Sequence, residues 1–173
     1  MQVIKKLVVI TIATIALAFL VDWSADAFGF RSPVFAFLVN WLVMSWVAIM
    51  GQVLCFSFRS GYYRIRPFES DGRLYERVGI RFFKRLVRRG PLSVLSPTLR
   101  FTGEPGSLSE LEVETRKAET GHLVILLVML LMVGYALVKS WLDAAGWLLL
   151  FNVLFNGYPI MLQRYNRAKL AAH

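Results

Sequence analysis

Four long apolar stretches with few charged residues constrain the fold more than any other feature of the sequence. The clearest, "LVILLVMLLMVGYALV", begins directly after His122 and contains no charge. A helix needs about 20 mostly apolar residues to cross a bilayer. The sequence therefore predicts an all-α integral membrane protein, one membrane domain over residues 1–173, with four transmembrane helices at residues 5–28, 33–56, 122–141 and 144–163.

The first stretch has a second interpretation. Lys5 and Lys6 precede an apolar core, and "ADA" at 25–27 offers small residues of the kind found at signal-peptide cleavage sites. Asp22 also interrupts this stretch. Cleavage would leave three spans without inverting the others.

The distribution of positive charge predicts the orientation. Of the 20 lysines and arginines, 18 lie in the N-terminal segment, in residues 57–121 or in the C-terminal tail, and only Arg31 and Lys139 lie opposite. By the positive-inside rule, both termini and the loop of residues 57–121 are cytoplasmic. The expected location of this multi-pass protein is a bacterial inner (cell) membrane. The net charge of +9 then reflects this loop, and we expect no nucleic-acid partner. The single cysteine, Cys55, is expected to pack and cannot form an internal disulfide.

Two helices are predicted in the cytoplasmic loop. In "GRLYERVGIRFFKRLVRRG" the cations Arg73, Arg77, Arg81, Lys84 and Arg88 share one helical face beside an apolar one. This pattern predicts one amphipathic interfacial helix on anionic lipid, ended by Gly90 and Pro91. Ser107 with Glu110, and Ser109 with Glu112, have capping-box spacing, so a second helix should begin there and continue into the third span.

Polar residues at the entry to the third span suggest acid–base chemistry. Glu119 and His122 are one helical turn apart, so their side chains can touch. They share a face with Glu112 and Thr115. A carboxylate beside an imidazole at the edge of the membrane is the usual preparation for a general base. The alternative is a solvated helix end whose histidine extends to the lipid headgroups.

The fourth span carries a second polar stripe, formed by Asn152, Asn156, Pro159, Gln163 and Arg167. Pro159 has no amide hydrogen, which frees the carbonyl of Phe155 one turn earlier. Amides this deep in a span should face the interior of the bundle, where hydrogen bonding between helices is the alternative to a functional role. The two stripes together predict a cavity open to the cytoplasm.

The sequence contains no motif for a metal or a cofactor. The Glu-x-x-His spacing of di-metal bundles must occur twice, and the only other histidine is the terminal His173. There is no serine-hydrolase elbow and no Walker phosphate loop. We therefore expect no metal and no tightly bound cofactor.

Several motifs resemble one family. Glu114, Glu119 and His122, then Asn156 and Pro159, then "QRYNR" at 163–167, together with "FESDGRLYERVGIRFFKRLVRRG" upstream, resemble the glycosyl-4,4'-diaponeurosporenoate acyltransferases of the staphyloxanthin pathway. The resemblance covers about residues 62–170. The first sixty residues share only their apolar character.

The resemblance implies a membrane enzyme of carotenoid biosynthesis that moves a fatty acyl group to a hydroxyl of a glycosylated or isoprenoid lipid. The donor would be an acyl-coenzyme A or acyl carrier protein, with phosphates held by Arg81, Lys84, Arg85, Arg88 and Arg89. In this hypothesis His122 is the base and Glu119 orients its ring, with Glu114 and Asn156 in the same catalytic group. Residues expected to bind substrate are Glu69, Tyr75, Lys84, Arg88, Gln163, Arg164, Asn166 and Arg167. Asn156, Gln163 and Arg164 or Arg167 would donate to the oxyanion.

Two other functions fit the same sequence. One is a noncatalytic membrane subunit that binds a partner or lipid through its basic loop, which predicts that Glu119 and His122 tolerate alanine. The other is an isomerase or reductase acting on a lipid in the same cavity, although no cofactor motif accompanies it.

Overall fold

The computed structural model describes residues 2–53, 61–89 and 108–171, apart from the side chains of residues 88–89, 108–111 and 170–171. Seven α-helices and no strand occur in these ranges. The helices are α1 (Gln2–Phe28), α2 (Pro33–Val53), α3 (Arg73–Arg77), α4 (Ile80–Arg89), α5 (Leu108–Val138), α6 (Leu142–Asn152) and α7 (Tyr158–Ala171). A π-helical turn, Val153–Gly157, joins α6 to α7, and short 3-10 turns occur at Gly61–Tyr63 and Pro67–Glu69.

Four helical segments are long and apolar enough to cross a membrane: Gln2–Phe28, Pro33–Val53, Glu112–Val138 and Leu142–Lys169. The predicted all-α membrane fold with four spans is therefore confirmed, and the chain is a multi-pass membrane protein. The helix predicted to continue from the cytoplasmic loop into the third span is α5, unbroken over 31 residues. Cys55, Ser107, Gly90 and Pro91 lie outside the described residues, as does the Ser109 side chain.

The basic segment that was predicted as one helix forms two. Gly79 has a φ of 83° and separates α3 from α4. This is the left-handed region, which glycine enters without the steric penalty that a side chain would bring. The predicted cationic face was therefore wrong, because Arg73 and Arg77 lie on a different helix from Arg81 and Lys84.

Two compact units make up the chain. The first unit comprises residues 1–57 and 120–157, and the second comprises residues 58–119 and 158–173. In the first unit, α2, the membrane part of α5 and α6 bury the largest core side chains. In a membrane the hydrophobic effect does not drive helices together, so close packing between small residues matters more. The small residues of this core are Ala36, Ala136, Ala144 and Ala145. Ser24 is the one buried residue of α1, and most of the exposed side chains of this helix are apolar.

The second unit has its own small core. Tyr75 and Ile80 from the basic segment pack with Leu162 and Tyr165 of α7. Gly72, with a φ of 72°, starts α3, and a Cβ there would lie 3.0 Å from the Tyr165 ring. The close approach of this turn to α7 therefore requires glycine.

Candidate functional site

Three buried asparagines meet in the first unit. Asn40 comes from α2, Asn152 from the end of α6 and Asn156 from the π-helical turn, and each is at most 2% exposed. The Nδ2 of Asn156 donates to Oδ1 of Asn40 at 3.0 Å and to Oδ1 of Asn152 at 2.9 Å. The two outer amides, Asn40 and Asn152, each donate Nδ2 to a backbone carbonyl. Asn40 donates to Ala36 at 3.0 Å, and Asn152 donates to Leu126 at 3.1 Å. We call Asn40, Asn152 and Asn156 the amide network.

His122 contacts this network through one ring nitrogen. Its Nδ1 lies 3.3 Å from Oδ1 of Asn156. An amide oxygen can only accept, so in the neutral ring Nδ1 carries the proton and Nε2 keeps its lone pair. The ring is half-buried, so Nε2 is the nitrogen that can accept a proton from another molecule.

Glu119 has partners other than the one expected from the sequence. Its carboxylate accepts from Nη1 of Arg164 at 3.1 Å and from Nη2 of Arg167, and it is fully buried. The contact that orients the His122 ring comes from Asn156 instead. Asn156 also uses its Nδ2 within the amide network, so acting as an oxyanion donor would require it to give up one of those bonds.

A second polar cluster lies in the second unit and is charged. Arg164 donates two parallel hydrogen bonds to Glu69, from Nε to Oε1 at 3.1 Å and from Nη2 to Oε2 at 2.8 Å. Tyr75 donates its hydroxyl to Oε1 of Glu69 at 2.8 Å, and the backbone amide of Arg66 donates to Oε2 at 3.0 Å. Such bidentate, charge-assisted pairs are the strongest and most geometrically specific hydrogen bonds that side chains form.

These contacts set the protonation states of two groups. Burial of Glu69 opposes its ionisation, but the hydrogen bonds from Arg164, the Arg66 amide and Tyr75 outweigh burial and lower its pKa to about 2. Burial, and then the hydrogen bond to Glu69, raise the pKa of Tyr75 to about 12. Glu69 is therefore anionic and Tyr75 neutral throughout the physiological range, so neither is poised to exchange protons.

Charge is balanced within this cluster. The carboxylates of Glu69 and Glu119 face the guanidinium groups of Arg164 and Arg167, which are 11% and 3% exposed. Buried charges persist only when they are paired and hydrogen-bonded. We call Glu69, Glu119, Arg164 and Arg167 the ion-pair cluster.

The other residues expected at a site are dispersed. Glu114 is exposed on α5, and Gln163 is buried on α7. Asn166 accepts a hydrogen bond from Nζ of Lys84 at 3.0 Å, and Arg81 pairs with Glu76 at 2.8 Å. The side chains of Arg88 and Arg89 lie outside the described residues. Within the described ranges, no three side chains of the metal-ligating types His, Cys, Asp and Glu come together.

A family model for glycosyl-4,4'-diaponeurosporenoate acyltransferases matches residues 59–173. The chain belongs to this family. No curated protein and no solved structure gives a significant match. The resemblance expected from the sequence motifs is thus confirmed, and the acyltransferase family match includes His122, Asn152 and Asn156. It begins after α2, so Asn40 lies outside it.

Asn40 is the residue that the sequence analysis missed. It stands in "PVFAFLVNWLVMSW", where it is one of only two polar, non-aromatic side chains in an apolar run. A lone amide within a membrane span is itself a sign of function or of a helix contact. Its distance of 116 residues from Asn156 explains why no spacing rule connects the two.

Proposed function

We propose that the protein is an O-acyltransferase that moves a fatty acyl group from a thioester donor to a hydroxyl of a glycosylated lipid, with His122 as the general base. The observation that carries this proposal is the contact between Nδ1 of His122 and Oδ1 of Asn156, because it leaves the lone pair on Nε2. The family match supports acyl transfer in a carotenoid pathway.

In the proposed reaction, Nε2 of His122 takes the proton of the acceptor hydroxyl as its oxygen attacks the thioester carbonyl carbon. The tetrahedral intermediate collapses by breaking the carbon–sulfur bond, and the imidazolium returns the proton to the departing thiolate. The products are an ester and a free thiol. Asn156 accepts a hydrogen bond from the ring, which compensates part of the positive charge that the ring carries between the two steps.

The donor is proposed to be an acyl-coenzyme A or an acyl carrier protein from the cytoplasm. The concentration of lysine and arginine in residues 57–121 and near both termini supports a cytoplasmic position for these segments in the bacterial inner membrane. On α4, Phe82 is 70% exposed, and the cationic residues Arg81 and Arg85 of the same helix are exposed as well. An exposed apolar group together with cations on one helix suits a surface that meets both acyl chains and phosphates.

Lipid mass spectrometry of cells that make glycosyl-4,4'-diaponeurosporenoate, with and without this protein, tests the reaction. We expect a new lipid that is heavier than the acceptor by the mass of one fatty acid minus one water. An unchanged lipid profile would favour the noncatalytic subunit.

The base is tested by His122→Ala in membranes supplied with palmitoyl-coenzyme A and the same acceptor. Removal of a general base should lower turnover by roughly 10²- to 10⁴-fold. Lys117→Gln is the matched control, because Lys117 is exposed on the same helix, and it should leave turnover unchanged. Full activity of His122→Ala at normal protein levels would remove the base assignment.

A further inference from the structure

We propose that Asn40 and Asn152 are positioning residues that fix the tautomer of His122 by holding Asn156 in one orientation. The catalytic consequence rests on the proposed function of His122, but the tautomer itself can be measured without any assay of activity.

The two ends of the amide network allow only one arrangement. The carbonyls of Ala36 and Leu126 can accept hydrogen bonds but cannot donate them. Asn40 and Asn152 must therefore turn Nδ2 toward these carbonyls, at 3.0 and 3.1 Å. Each outer amide is left with Oδ1 facing the centre of the network.

The orientation of the Asn156 amide is then determined as well. Two amide oxygens converge on Asn156, so it must present Nδ2 to them, at 3.0 and 2.9 Å. Its own Oδ1 is thereby directed to Nδ1 of His122. Turning the amide over would set oxygen against two oxygens inside a network whose members are at most 2% exposed, where water cannot relieve the conflict.

The orientation of Asn156 determines which nitrogen of His122 can accept a proton. With Nδ1 protonated, only Nε2 can receive the proton of an acceptor hydroxyl. Asn40 thus gives α2 a part in the site, although α2 precedes the residues that match the acyltransferase family.

Nitrogen-15 NMR of the full chain in lipid nanodiscs measures the tautomer directly. The protein has two histidines, so selective ¹⁵N-histidine labelling yields few signals, and a His173→Gln variant identifies those of His122. At a pH where the ring is neutral, we expect Nδ1 to be protonated and Nε2 unprotonated. Protonation of Nε2 in the wild type would overturn the proposal without any need for a variant.

The double variant Asn40→Leu, Asn152→Leu removes both oxygens that face Asn156. We expect its His122 signals to change to a mixture of tautomers. In the acyl transfer assay, kcat should fall roughly 10- to 100-fold, while KM for palmitoyl-coenzyme A should change little. The control is Ser45→Ala, also on α2, which removes an exposed hydroxyl bonded to the Trp41 carbonyl at 2.9 Å and should alter neither measurement.

The outcomes separate this proposal from the proposed function. A single Nδ1-protonated tautomer retained in the double variant would overturn the positioning role, even if His122→Ala is inactive. If the wild-type tautomer is as expected but His122→Ala is fully active, the proposed function fails while the amide network still controls the ring. Should the double variant fail to fold, the single variant Asn40→Leu gives the same comparison with a smaller shift.

Discussion

The amide network of the first unit and the ion-pair cluster of the second unit meet the same requirement in different ways. Both bury polar groups, and burial of such a group without a partner is costly. Among the described residues of the ion-pair cluster, Nε and Nη1 of Arg167 have no hydrogen-bond partner. The amide network is neutral and anchored on backbone carbonyls, and it leaves one nitrogen lone pair on His122. The ion-pair cluster matches two carboxylates with two guanidinium groups. The neutral arrangement keeps a group that can accept a proton, whereas the charged one holds Glu69 anionic.

Among substitutions that test the difference between the two clusters, the largest loss of stability is expected at Glu119. Glu119→Ala leaves Arg164 and Arg167 without their shared carboxylate, and an uncompensated buried charge costs about 3–5 kcal/mol. We expect this loss in the free energy of unfolding, measured with the detergent-solubilised protein by circular dichroism. Glu114→Ala, at an exposed position of the same helix, should change stability by less than about 0.5 kcal/mol. Equal effects of the two variants would mean that the ion-pair cluster does not hold the second unit together.

The pH dependence of stability should come from the ion-pair cluster. The pKa of Glu69 falls from an ordinary 4.5 to about 2, so its contribution is present above pH 4.5 and is lost as the pH falls toward 2. The pKa of Tyr75 rises from 10 to about 12, so its contribution is present below pH 10 and is lost as the pH rises toward 12.

Two variants separate these limbs of the pH profile. Thermal unfolding between pH 3 and 11 should show that Glu69→Gln mainly flattens the acid limb and Tyr75→Phe mainly the alkaline one, because each group contributes only part of the pKa shift of the other. A Glu69→Gln profile that keeps the wild-type acid limb would assign that limb to other carboxylates.

The smallest effect on stability is expected in the amide network. Asn152→Leu removes the hydrogen bond to Leu126 of α5 and the one from Asn156 in the same span. Hydrogen bonds between membrane helices contribute about 0.6–2 kcal/mol, and leucine fills a similar volume. Unfolding under the conditions used for Glu119→Ala should therefore show a smaller loss than that variant does. A loss as large as that of Glu119→Ala would contradict the difference between the neutral and charged clusters.

Sequence patterns predicted the polar residues of the site better than their partnerships. His122 and Asn156 were both expected in the catalytic group, and the structure brings them together. The expected pair of Glu119 and His122 rested on one-turn spacing along a helix, which makes contact possible without deciding it. Glu119 turns to Arg164 and Arg167 because a buried carboxylate gains more from two guanidinium groups than from a neutral ring.

Local sequence also left the break in the basic segment undecided. "GRLYERVGIRFFKRLVRRG" keeps a helical charge pattern throughout, and a single internal glycine is tolerated in helices at a cost of about 1 kcal/mol. Packing favours the break, because Tyr75 on one side of it and Ile80 on the other are both buried in one core with Leu162 and Tyr165.

By itself, the sequence determined the four membrane helices and the family, because a bilayer requires long apolar runs and because each family motif is a short stretch of the chain. Only the tertiary structure decided which amide orients His122 and which cations neutralise Glu119. Those contacts join residues 34 to 48 positions apart, and hydrogen bonds act over about 3 Å. Packing therefore selects among partners that composition and spacing leave equivalent.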